Sequence, residues 1–158
     1  MFTAPTLAGA LFSAAWWLFF DAIVVQGRFQ RVPEPRVVDW APGMLATVAA
    51  AFMAAIPSKQ LHDELSGTQS LGSIGGRRRC ATCLLFVAFS TALVSVTAAV
   101  GMAQVRYIDG VSPLVRETAQ YSAWPGTAAF LQAILIVGAA CILVVHRISA
   151  HQINDDAV

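Results

Sequence analysis

Chemistry in this chain would start with an acid inside an apolar helix. Asp21 lies near the end of the apolar stretch from Ala8 to Val25, which also holds Trp16 and Trp17. On a helix, Gly9, Ser13, Trp17 and Asp21 fall at successive i,i+4 positions and share one stripe. Small residues let a second helix come close, and hydrocarbon tolerates a carboxylate poorly unless it is paired. The stripe is therefore expected to face protein, as the packing seam of a helix bundle or of its partner. Three roles are open to Asp21: a polar clasp fixing helix register, a proton or cation exchange site, or a contact to a partner membrane protein. It lies about four residues inside its span, about 6 Å deep, and Gln132 lies about 9 Å deep in the last span, entering from the same side. A direct or water-bridged hydrogen bond between the two is expected, with Arg28 or Arg31 as alternative partners for the acid. Trp16 and Trp17 read as packing residues, or as residues that pair helices through an indole N–H.

Two further clusters carry reactive groups. Cys80-Ala-Thr-Cys83 has CxxC spacing, but zinc requires four ligands and only His62 is near in sequence. A redox motif would need a thioredoxin-like βαβ setting. Beside Arg77, Arg78 and Arg79 at a membrane surface, Cys80 and Cys83 are candidates for palmitoylation, against the plainer reading as small membrane residues. The arginine triplet is expected to anchor to anionic headgroups, at about 1 kcal/mol per residue. His62-Asp63-Glu64 reads as a solvated loop end. The sequence holds no HExxH, GxSxG or Walker pattern, and no paired carboxylates inside a span. Neither a metal nor any other cofactor is expected, and no enzymatic activity.

The elements that must position these groups are membrane helices. Of the 158 residues, 57% are hydrophobic and 12% charged, where a soluble domain carries about 25% charged residues. Mean hydropathy is +0.65. The formal net charge of +1 argues against nucleic acid as a partner. A spanning helix needs about 20 mostly apolar residues. Four blocks approach this, at about 6–25, 38–56, 80–103 and 125–145. The expected fold class is all-α: one integral membrane four-helix bundle covering residues 1–158, with short loops and membrane lipids as its surroundings.

Local signals refine the spans. The first apolar block has no Lys or Arg before it and no clear cleavage site after it, so it reads as a retained helix and not a removed signal. The second span carries two small-residue stripes, Ala46-Ala50-Ala54 and Gly43-Thr47-Ala51-Ala55, and is expected at the interior of the bundle. Hydroxyls of the third span are expected to bond back to the preceding turn. Trp40-Ala-Pro-Gly43 and Trp124-Pro-Gly126 read as helix restarts. The acidic tail Asp155-Asp156 is expected to be disordered. Basic residues near the membrane mark the cytosolic side. The triplet at 77–79 therefore puts the second loop and both termini in the cytosol.

Together, Ala8-Gly-x-Leu-Phe, Trp16-Trp17-x-x-x-Asp21-Ala22, the Gly-rich stretch Ser66 to Gly76, Leu85-Phe-Val-x-Phe89 and Pro125-Gly126-x-Ala128-x-Phe130-x-Gln132 resemble the transmembrane-protein-fifty family. Its fungal members are called vacuolar protein sorting protein sixty-eight. The chain departs from it at Ala15, where a glycine usually precedes the tryptophan pair. The resemblance implies a non-enzymatic four-span protein of late endosomes or the vacuole or lysosome. It also implies a role in endosome-to-vacuole transport as a scaffold or adaptor, in complex with a second small four-span protein. The alternative from another class is a small proton-coupled transporter using Asp21. A subunit of a larger membrane assembly is a third reading.

Overall fold

The computed structural model describes residues 3–29, 36–57, 75–117 and 121–155, with side chains from 82 onward in the third segment and up to 150 in the last. Helix α1 runs Ala4–Arg28, a 3-10 turn covers Val37–Trp40, and α2 covers Ala41–Ala55. Helix α3 runs Gly75–Met102 and continues as a π-helical segment over Ala103–Asp109. A single turn, α4, at Pro113–Arg116 precedes α5, Trp124–Asp155. Four stretches are long and apolar enough to cross a membrane: Ala4–Arg28, Val37–Ala55, Thr82–Asp109 and Trp124–Ala150. The protein is an all-α bundle of four membrane-spanning helices.

The helix ends follow from local chemistry. Pro5 and Pro42 sit in first turns, where a missing N–H is no loss. Ile56, held extended at ψ 124° by the following Pro57, closes α2. Two expected boundaries move. The arginine triplet lies on the first turns of α3, because the helix already starts at Gly75. Asp155 is the last residue of α5 and not part of a disordered tail. The side chains of Cys80 and Arg77–Arg79, and all of His62-Asp63-Glu64, lie outside the described residues.

Helix α5, and not α2, is the hub. It packs against α1, α2 and α3, whereas α2 packs chiefly against α3 and α5, and α1 chiefly against α5. The cause is the inner surface of α5, where Ala128, Ala129, Ala133, Ile136, Ala139 and Ala140 are all buried. Short side chains let three backbones approach one helix, the main source of association where lipid is as apolar as leucine. On α2 the buried stripe is Gly43, Ala46, Ala49 and Met53, while Ala51, Ala54 and Ala55 are exposed.

Two glycines set the closest crossings. A Cβ on Gly43 would overlap the side-chain amide of Gln132 on α5. A Cβ on Gly126 would lie 2.9 Å from the Tyr107 ring and 3.2 Å from the Ala103 Cα. Each restart, Trp40-Ala-Pro-Gly43 and Trp124-Pro-Gly126, thus delivers a glycine to a helix contact. Ser95 adds a polar tie, its hydroxyl donating to the Pro42 carbonyl at 2.7 Å inside the bundle. Thr91 and Thr97 bond back to Val87 and Leu93 within α3, as expected.

Overpacking a tight site typically costs about 1–3 kcal/mol. Gly43→Ala should lower the unfolding midpoint in mild detergent by that amount. Gly9→Ala, whose Cβ meets nothing within 4 Å, should leave the midpoint unchanged or raised.

Candidate functional site

The densest polar arrangement lies where the 3-10 turn, the π segment and the start of α5 meet. Asp39 is 2% exposed. Its carboxylate accepts from the Arg36 backbone N–H at 2.8 Å, from the Tyr107 hydroxyl at 2.9 Å and from the Arg106 guanidinium. The π geometry swings Arg106 and Tyr107 together toward the turn, and the Tyr107 carbonyl is taken up by the Tyr121 hydroxyl at 2.7 Å. In the sequence Asp39 and Arg106 lie in polar stretches between apolar blocks, where neither stands out. The signal available was their position, one acid and one base at the same end of neighbouring spans.

An aromatic layer sits beside this junction. Trp40, next to Asp39, meets Phe19 edge-on at 5.3 Å between centroids, Phe20 at 5.6 Å and Trp16 at 6.4 Å. Trp16 therefore packs between α1 and the turn through ring contacts, and among the described residues its indole has no hydrogen bond to a neighbouring helix. Pairs of this kind add about 0.5–1.5 kcal/mol each beyond area burial.

The stripe read from the sequence points the other way. Gly9, Ser13, Trp17 and Asp21 are all exposed on the outer side of α1, and Trp17 reaches 75% exposure. The buried face of α1 is Ala8, Ala15, Phe19, Ala22 and Gln26. Asp21 is not bonded to Gln132. Gln132 is fully buried inside the bundle, and neither its amide oxygen nor its nitrogen finds a hydrogen-bond partner. The clasp expected between them is overturned, for a geometric reason: two small-residue stripes exist on α1, and the Ala8-Ala15-Ala22 one docks on α5. Ala15, the departure from glycine, is buried in the cluster with Ala46, Ala99, Ala133 and Ile136. Cys83 and Cys141 are free and exposed, and the described residues contain no group of His, Cys, Asp and Glu able to hold a metal.

A family model matches residues 3–152, nearly the whole chain: the uncharacterised protein family UPF0220. The chain belongs to UPF0220. Searches of curated proteins and of solved structures find no significant match. The UPF0220 match spans the Asp39 junction, the aromatic layer and the outer stripe alike.

Breaking a buried ion pair from one side costs about 3–5 kcal/mol. Arg106 keeps partial access to water at 19% exposure, so Asp39→Asn should cost near the lower end, about 3 kcal/mol. The double variant Asp39→Asn/Arg106→Gln should recover part of the loss, read as a coupling energy from unfolding midpoints in detergent.

Proposed function

We propose that this chain is a non-enzymatic scaffold or adaptor of endosomal membranes, working in a complex with a second small four-span protein. The observation that carries the reading is the outer face of α1. That face presents an acid seven residues before the end of α1 at Arg28, beside a largely exposed tryptophan and two small residues, Gly9 and Ser13. An unpaired carboxylate facing lipid is unfavourable, and a small-residue stripe leading up to it admits a close helix. A partner helix with a donor at the level of Asp21 would satisfy both. The partner half of the original expectation for the stripe is therefore the one retained.

Membership of UPF0220 supports the resemblance to the transmembrane-protein-fifty and vacuolar-protein-sorting-sixty-eight type. That resemblance supplies the compartment, late endosome or vacuole and lysosome, and the role in cargo transport. The arginines at 77–79 favour the side of the second loop and both termini as cytosolic. The transporter alternative has no observation in its favour. An exchange site is expected near the midplane inside the bundle, and Asp21 faces outward toward one end.

Purification of the tagged chain in mild detergent should bring down a second small membrane protein. Trp17→Ala/Asp21→Leu should reduce its recovery about tenfold, equivalent to about 1.4 kcal/mol. The unfolding midpoint should stay within about 0.5 kcal/mol of the parent, because the two sites are exposed. Deletion of the gene should retain endosomal cargo. Unchanged recovery, or normal cargo delivery after deletion, would refute the proposal.

A further inference from the structure

At the end of the bundle opposite the Asp39 junction, α1 and α2 part over the surface of α5 and leave a groove of about 180 Å³. Its floor is Ile136, Ala140 and Val144 of α5, and its rims include Gly9 of α1 and Ala54 of α2. The lining is apolar until Arg147, which stands at the mouth. One guanidinium N–H of Arg147 donates to the Ala54 carbonyl at 2.8 Å, at the C-terminal end of α2. That bond holds the cation over the opening and leaves its other donors free of partners among the described residues. The same end of the bundle carries the start of α3, with three arginines in its sequence at 77–79.

The dimensions select the occupant. From Ile136 to Arg147 the groove follows α5 for eleven residues, about 16 Å. Half of a hydrocarbon core of about 30 Å is about 15 Å, the depth of one leaflet. Taken as all space not filled by atoms, the groove holds about 550 Å³, which along that length is a cross-section of about 33 Å². A helix about 10 Å across needs about 80 Å², so the groove is too narrow for a helix and suits a slimmer, extended hydrocarbon chain. A guanidinium over the mouth matches a phosphate, to which it can donate in a bidentate fork. We infer that this groove seats one acyl chain of an anionic phospholipid from the leaflet on the second-loop side, with its phosphate held by Arg147. Gly9 borders both this groove and the outer stripe of α1, but Trp17 and Asp21 lie outside the groove, and the site does not depend on the partner reading.

The test uses the purified full chain in phosphatidylcholine vesicles. These carry a trace of phosphatidylserine or phosphatidylcholine with a photoactivatable group on the acyl chain. Irradiation should concentrate adducts within residues 8–12, 50–54 and 136–144, about fivefold more with the phosphatidylserine probe. Gly9→Leu, which has open space at its Cβ, should fill the groove and cut the adducts about fivefold without loss of folding. Arg147→Gln should equalise the two probes, and Arg147→Lys should keep the preference. Equal labelling by the two probes in the parent chain would overturn the inference, as would adducts spread evenly over the outer residues Phe86 and Leu93 of α3. Loss of the preference in Arg147→Lys would do the same. Groove segments left unlabelled while α3 is labelled would mean that a second copy or a partner helix fills the groove, and would also overturn it.

Discussion

One carboxylate organises the end of the bundle where the loops are shortest. Asp39 receives a backbone N–H, a phenol and a guanidinium, so both oxygens of this buried acid are occupied. Burying a charge without a partner costs several kcal/mol. The donors offset such a cost only if the turn before α2 and the π segment after α3 keep their places. The pairing fixes the rotation of both helices about their axes, and Tyr121 extends it to the entry of α5 through the Tyr107 carbonyl. The switch from α to π at Ala103 fits this arrangement. One wider turn brings Arg106 and Tyr107 toward the same acid, a re-aiming that π segments often provide at constrained sites.

Around that polar corner, close approach supplies the rest of the cohesion. Gly43 lies against Gln132, Gly126 against Tyr107, and alanines line the inner side of α5. The buried amide of Gln132 is an internal cost, about 1–3 kcal/mol for polar atoms left unbonded. Its position under Gly43 means that α2 sits where a side chain larger than hydrogen could not.

The number of spans and the helical class were legible because four apolar blocks separated by polar, proline-bearing loops have few other solutions. Pro57 and the two restarts also placed helix ends close to where they lie. The facing of α1 was not legible. In lipid, inner and outer faces are both apolar, so periodicity does not separate them, and α1 offers two small-residue stripes with similar claims to packing. The alanine stripe won the contact with α5, which left Gly9, Ser13, Trp17 and Asp21 outside. The pairing of Asp39 with Arg106, 67 residues apart, required knowing that the third helix continues past Ala103. No local pattern announces that continuation. The expected bond from Gln132 to Asp21 rests on depth alone, and depth says nothing about azimuth.

The packing of α1 chiefly on α5 has a consequence for biogenesis. Helix α1 leaves the ribosome well before the α5 that holds it. About a hundred residues separate Arg28 from Trp124, so at 5–20 residues per second the nascent α1 waits about 5–20 s for its docking surface. During that interval the alanine face of α1 is exposed together with the acid on its other side. Assembly of this bundle is therefore a closing step, completed when the C-terminal helix enters the bilayer, and not a progressive addition of helices in order.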